Sequence, residues 1–316
     1  MNNNLQNKNI TCSIVVSVYN EAENIVDVYQ QLTEILQTQN ITYEIIFVND
    51  GSSDKSLQIL KKIVDGNDRV KIISFSRNFG HEAAMLAGID YSEGDSIVCM
   101  DADLQHPPTM LPLMLQKRAE GFEIINMVRT QRQDAGRIQN FNSRLFYRFL
   151  NKISKVELAE NASDFFLISS RVGEILKNNF RERTRFLRGI IQMLGFQRTT
   201  LEYIAIPRQS GKSKYSTRKL VSLSLTAMAT LSKIPLEIGI YLGFISALLS
   251  IALVIFSLIM KIIEQPIPGY TTLVVFMGFM FSIQFFMLGI MGKYIGFLFD
   301  ETKQRPIYII DKTINC

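Results

Sequence analysis

Asp101 and Asp103 flank a single alanine directly after the apolar run Ser96-Ile97-Val98-Cys99-Met100, and Leu104-Gln105-His106-Pro107-Pro108 closes the segment. Two carboxylates one residue apart, at the end of a strand and before a proline-closed turn, can share a divalent cation. Mg²⁺ and Mn²⁺ favour oxygen donors of this kind and are commonly held by carboxylates beside substrate phosphates. An isolated D-x-D also occurs in ordinary solvated turns, so its meaning rests on its neighbours. Here the clusters Tyr19-Asn20-Glu21, Asn49-Asp50-Gly51-Ser52 and Arg77-Asn78-Phe79-Gly80 have the same setting, each following an apolar run. Any one of them alone reads as turn chemistry, because Asn, Asp, Gly and Ser favour turns.

The elements that must hold these clusters can be read from the pattern. Ser13–Val18 is strand-like, and Asn20 with Glu23 predicts a capping box for a helix with Ile25, Val28, Leu32 and Ile35 or Leu36 along one face. Tyr43–Val48 predicts a second strand, followed by a helix with Leu57, Leu60 and Ile63 or Val64 on one side. Val70–Phe75, Ser96–Met100 and Glu123–Val128 repeat the strand signal. Strands spaced by helices predict an α/β, Rossmann-like fold whose mainly parallel sheet carries its ligands at the carboxyl edge. All of the polar clusters then share one rim, the expected active site. No strand is followed by G-x-G-x-x-G, which leaves a dinucleotide oxidoreductase unsupported. Gly211-Lys212-Ser213 resembles the end of a phosphate loop, but the earlier glycine of that motif falls on Ile206.

The apolar residues are concentrated towards the end of the 316-residue chain. Ile238–Met260 and Thr271–Gly292 contain no charged residue, and Lys261–Tyr270 between them holds Pro266, Pro268 and Gly269. A bilayer core of roughly 30 Å needs about 20 helical residues, so both runs are long enough to cross it. Lys212, Lys214, Arg218, Lys219 and Lys233 precede the first run, Lys293, Lys303 and Arg305 follow the second, and Lys261 alone lies between. Positive residues favour the cytoplasmic side, which predicts a multi-pass protein of the inner membrane with its catalytic domain and both termini in the cytoplasm. The polar opening residues lack the apolar core of a signal peptide. Leu220–Ile234 reads as an amphipathic interfacial helix. The expected organisation is a soluble domain over 1–216, an interfacial helix region over 217–234, a two-helix anchor over 235–299 and a tail over 300–316. Cys12, Cys99 and Cys316 are too scattered for a metal knuckle or a disulfide framework, in agreement with a reducing compartment. The formal charge of +5 is modest and gathers beside the first apolar run, which points to anionic headgroups or phosphates and away from nucleic acid.

The ordered set VSVYNEAENI (16–25), EIIFVNDGSSDKS (44–56), SRNFGHEAAMLAG (76–88), MDADLQHPP (100–108), NASDFFLISSR (161–171) and RQSGKSKYSTRKL (208–220), followed by two spans, resembles glycosyltransferase family 2. The resemblance is to its polyprenyl-phosphate glycosyltransferases, related to dolichol-phosphate mannose synthase and bactoprenol glucosyltransferase, and it covers nearly the whole chain. It implies a GT-A fold and inverting transfer of a monosaccharide from a nucleotide sugar to a polyprenyl phosphate such as undecaprenyl phosphate. It further implies that Tyr19, Glu21 and Asp50 line the nucleoside pocket. Asp101 and Asp103 would hold Mg²⁺ or Mn²⁺ on the diphosphate, and Gln105 would meet the sugar or metal-bound water. Asp164 matches the family's base or sugar-orienting residue, and both roles stay open. The family often has Asp where this chain has Asn49.

A dianionic lipid phosphate needs cations, and Arg129, Arg132, Arg208 and Lys214 are the candidates, since arginine grips phosphate with a fork and lysine with a point charge. Arg137, Arg144 and Arg148 read as a solvated or lipid-facing surface. UDP-glucose is the favoured donor, followed by UDP-N-acetylglucosamine and GDP-mannose, and a small two-span anchor is compatible with a homo-oligomer. A processive polysaccharide synthase would carry a Q-x-x-R-W motif, and the chain has no tryptophan. A catalytically silent membrane scaffold is the rival from another class, and the intact acidic motifs argue against it. A lipid-linked sugar flippase is a third option, for which two spans are too few unless the chain oligomerises.

Overall fold

The computed structural model describes residues 11–39, 41–130, 162–183, 186–204, 234–263 and 269–316. They fall into two units, one reaching to Ser224 and taken up again by Pro306–Cys316, the other within Leu225–Arg305.

In the first unit, β1 (Cys12–Val18), β2 (Tyr43–Asn49), β3 (Val70–Phe75), β4 (Ser96–Asp101), β5 (Ile124–Arg129), β6 (Ala162–Ser169), β7 (Arg198–Tyr203) and β8 (Ile310–Ile314) build one sheet in the order β7-β5-β6-β4-β1-β2-β3-β8. β1 pairs in parallel with β2 and β4, β2 with β3, and β5 with β7. β6 lies antiparallel between β4 and β5, and β8 antiparallel beside β3. The α/β, mainly parallel sheet expected from the sequence is present.

Alternate side chains of the central strands feed two separate cores. Val16, Phe47, Met100 and Ile125 pack beneath α1 (Ile25–Thr38), α2 (Ser56–Val64) and α4 (Leu111–Ala119). Val15, Ile46, Cys99 and Ile124 pack beneath α3 (His81–Asp90), α5 (Ser170–Asn179) and α6 (Leu187–Met193). Strands covered on both faces read as continuous apolar runs, which is why β1 to β4 stand out in the sequence. α3 lies so close to β1 that a Cβ on Gly88 would come within 2.0 Å of Val15 Cγ1.

The stripe Ile25, Val28, Leu32 and Leu36 of α1 is buried as expected. The capping box is not formed. α1 begins at Ile25 with no side-chain cap, and Asn20, at φ 54°, accepts instead from the Ser53 amide at 2.8 Å. Asn20 therefore ties the β1–α1 loop to the β2–α2 loop, a use that local spacing does not reveal.

The second unit holds α7 (Ile234–Ile262) and α8 (Tyr270–Thr302). Leu236–Met260 and Val275–Thr302 have the length and apolar character of membrane spans, and neither is buried against protein. Large apolar side chains such as Phe244, Ile251, Phe285 and Leu298 are exposed, as association with a bilayer requires. Residues 300–316, read from sequence as a tail, do more than trail: α8 runs on to Thr302, and β8 returns to the sheet of the first unit. The expected interfacial helix over 217–234 falls almost entirely outside the described residues.

Candidate active site at the carboxyl edge of the sheet

The loops after β1, β2, β3 and β4 meet at one edge. β6 is antiparallel there, so its beginning, with Asp164, arrives where the other strands end. Asp50 is 2% exposed, and its two carboxylate oxygens accept from the amides of Phe79 (2.6 Å) and Gly80 (3.0 Å). It thereby shapes the 77–80 turn that delivers His81 to the start of α3. Gly51, at φ 62°, passes so near that turn that a Cβ would lie 2.3 Å from the Arg77 carbonyl carbon. Glu21 accepts from Asn24 Nδ2 at 2.7 Å, while Tyr19 stands 40% exposed on the same rim. Asn49 donates to Ser74 Oγ and accepts from the Ser52 amide, so its amide shapes the loop.

At the acidic pair, Asp101 Oδ1 accepts from Ser17 Oγ at 2.9 Å and lies 3.1 Å from His81 Nδ1. Asp103 Oδ1 accepts from the Gln105 amide at 3.1 Å. Leu104 between them has φ 60°, a left-handed conformation that costs a branched residue about 1–3 kcal/mol. Burial of its side chain in the core holds the turn in that shape. Among the described residues no group of three or more His, Cys, Asp or Glu forms a cation cage. A Mg²⁺-like ion that takes one or two carboxylates and completes its shell with water and phosphate needs no such cage, so the donor set fits.

Asp164 sits between two basic groups, with Arg188 Nε 3.3 Å from Oδ1 and His81 Nε2 3.6 Å from Oδ2. Burial alone would raise its pKa, but Arg188, His81, His106 and Arg129 outweigh burial and hold it below the usual carboxylate range. Burial lowers the pKa of His81, yet Asp101 and Asp164 together bring it above the ordinary imidazole value. Glu82, next in α3, accepts from the Leu187 amide at 3.3 Å, and burial with the nearby Asp164 charge pushes its pKa up to about 7. Ser17, His81 and Asp101 are not a nucleophilic triad, because Ser17 and Asp101 both meet Nδ1 and a triad needs them on opposite ring nitrogens.

His106 is 1% exposed, stacks on Phe165 and accepts the Asp101 amide at Nδ1, 3.0 Å away. Its Nε2 lies 3.4 Å from Arg129 Nη2. Burial lowers the pKa of His106, which fits a neutral ring beside a guanidinium. Arg129 Nε donates to the Tyr203 hydroxyl at 2.9 Å.

Of the residues expected from sequence, the structure gathers Asp101, Asp103, Gln105, Asp164 and Arg129 around one centre, with Tyr19, Glu21 and Asp50 on the adjoining loops. Arg132, Arg208 and Lys214 lie outside the described residues. Ser17, His81, Glu82, His106 and Arg188 were not picked out by the sequence reading. The chain has only two histidines, and both contact Asp101, a signal that was available from their positions beside two of the polar clusters.

Residues 13–174 match the profile of Glycosyl transferase family 2. The chain is 37% identical to an uncharacterized glycosyltransferase, YkcC, of Bacillus subtilis, over 97% of this chain and 95% of that protein. It is 35% identical to the bactoprenol glucosyl transferase of Shigella phage SfII, over 95% of this chain and 97% of that protein. Among solved structures it is similar in fold to glucosyl-3-phosphoglycerate synthase from Mycobacterium tuberculosis, a structure holding Mn²⁺, UDP and phosphoglyceric acid. That likeness has a TM-score of 0.50 at 17% identity, covering 70% of this chain and 77% of the other.

Proposed function

The chain belongs to glycosyl transferase family 2, and from that premise we propose that it transfers glucose from UDP-glucose to a polyprenyl phosphate at the membrane surface. The observation that carries this reading is the meeting of Asp101, Asp103 and Asp164 at one sheet edge, in a chain that also holds two bilayer-length helices. The bactoprenol glucosyl transferase of phage SfII, alike along nearly its whole length, supports the sugar and the lipid.

In the reaction, an oxygen of the lipid phosphate attacks the anomeric carbon from the face opposite the nucleoside diphosphate. The new C–O bond forms as the bond to the diphosphate oxygen breaks, so the anomeric configuration inverts. A divalent cation, Mg²⁺ or Mn²⁺, held by Asp101 and Asp103 would neutralise the charge developing on the leaving diphosphate. Gln105 lies beside them to meet the sugar or its waters. The acceptor phosphate is already anionic near neutral pH, so little proton removal is required. Asp164, held ionised below the usual range, is a weak base, which supports an orienting role towards the sugar over proton abstraction. Tyr19 and Glu21 face the nucleoside from the β1–α1 loop, and Asp50 acts through the 77–80 turn that it folds. Arg129, fixed by Tyr203, is the described candidate for the lipid phosphate, with Arg132, Arg208 and Lys214 as its partners.

Chain order bears on topology. The strands before α7 and β8 after α8 share one sheet, which supports a helix hairpin that leaves and rejoins the same side of the bilayer. The excess of Lys and Arg around the hairpin, against Lys261 alone between its arms, supports the cytoplasmic side.

The test is to incubate the purified chain with undecaprenyl phosphate, Mn²⁺ or Mg²⁺, and radiolabelled UDP-glucose, UDP-N-acetylglucosamine or GDP-mannose in parallel. Label from UDP-glucose should enter the lipid fraction. Transfer from another donor alone would change the sugar, and transfer from none would leave the silent scaffold.

A further inference from the structure

His81 touches both acidic ends of the site with a single ring. The hydroxyl proton of Ser17 goes to Asp101 Oδ1 at 2.9 Å, so Ser17 Oγ accepts from Nδ1–H of His81 at 2.8 Å. The same nitrogen lies 3.1 Å from Asp101 Oδ1. At the opposite side of the ring Nε2 is buried without a hydrogen bond, and Asp164 Oδ2 is its nearest ionic neighbour at 3.6 Å. The ring cannot drift, because it is the first residue of α3, whose next turns are packed against β1 around Gly88. The turn before it is pinned by Asp50.

We propose that His81 is the positioning residue that joins the cation end of the site, Asp101, to the transfer end, Asp164. Nδ1 orients Asp101 through Ser17, and Nε2 closes the remaining gap to Asp164 when donor binding tightens the site. This rests on the reading of Asp101 and Asp164 as the working carboxylates of glucosyl transfer. Arg188, 3.3 Å from the other oxygen of Asp164, completes the grip. A carboxylate held from two sides has one orientation, which is the requirement for placing a sugar ring against an acceptor. His81 reaches the reacting atoms only through these carboxylates.

The link can be read without turnover. With two histidines in the chain, ¹⁵N-imidazole spectra of the full protein in detergent contain two rings, and His81→Gln identifies which is which. Asp164→Asn should move the Nε2 resonance of His81, and Asp101→Asn should move Nδ1. An Nε2 resonance unmoved in Asp164→Asn overturns the link. Kinetics supply the second arm, because an asparagine amide can stand in for Nδ1 and a glutamine amide for Nε2. His81→Asn should keep the half-saturating Mn²⁺ concentration close to that of the unsubstituted chain and lower kcat ~100-fold, as a ~1 Å misplacement of a reacting group does. His81→Gln should instead raise the half-saturating Mn²⁺ concentration. Equal losses in both variants, in step with a fall in melting temperature, would mean that the ring only supports the fold, and would overturn the proposal. Absence of transfer by the unsubstituted chain strikes the glucosyl-transfer reading alone, since the spectra report the link independently.

Discussion

At Asp103 an exchange of carboxylate for amide keeps the shape and the Oδ1 acceptor for the Gln105 amide, but removes the charge a divalent cation needs. Asp103→Asn is expected to abolish transfer while circular dichroism and melting temperature stay those of the native chain. Full activity of the purified variant would contradict the cation assignment. Glu82 makes a different prediction. Its folded pKa is raised from the ordinary carboxylate range to about 7, so the folded state binds the proton more tightly than the unfolded chain. The stability this contributes is complete below the unfolded value and is lost as pH rises through 7. Glu82→Gln keeps an acceptor for the Leu187 amide and should melt higher than the native chain at pH 8, with the advantage gone near pH 4. A constant difference across that range would refute the raised pKa. The acidic pair was legible because charge placed after an apolar run is conspicuous. His81 and Arg188 were not, because what gives them meaning is the position of Asp164, which reaches them from a distant strand.

The same contrast holds between elements. β1 to β5 could be read from their apolar runs, since strands buried on both faces are mostly apolar and their few charges, such as Glu44 and Lys71, pair with each other at 2.7 Å. β6 opens with Ala162-Ser163-Asp164, and its antiparallel insertion between β4 and β5 depends on partners remote in the chain. β7 alternates between exposed and half-buried positions up to the buried Tyr203, and β8 has three exposed residues among its five, so neither announces a buried strand. Loops carry the other hidden content. Gly51 lies in a left-handed turn against the Arg77 backbone, so Gly51→Ala combines strain with a clash. A loss of at least about 1–2 kcal/mol is expected from the conformation alone. Chemical denaturation of the detergent-solubilised chain would measure it. The variant should also lose donor affinity, because the displaced 77–80 turn carries the amides that meet Asp50. A variant with unchanged midpoint and unchanged KM would show that the turn tolerates the shift.

For the molecule as a whole, the three cysteines offer a test of sidedness. Cys12 and Cys99 are buried and Cys316 is exposed, so one thiol should report to solvent in the folded chain. A membrane-impermeant maleimide is expected to label Cys316 in inverted inner-membrane vesicles and not in intact spheroplasts. The opposite pattern would place the sheet outside and remove its access to cytoplasmic nucleotide sugars. The sequence showed two spans and a charge bias, but not that the chain resumes its sheet after the second span, because five residues with three exposed side chains look like any surface segment.

That returning strand also fixes an order of events during translation. β3 can acquire its second neighbour, β8, only after both apolar helices have left the ribosome, so until then the nascent sheet keeps an unpaired border. An unpaired strand border invites pairing with other chains. Completion of the sheet is thus tied to synthesis of the two helices, and a polypeptide halted before β8 would keep that border open.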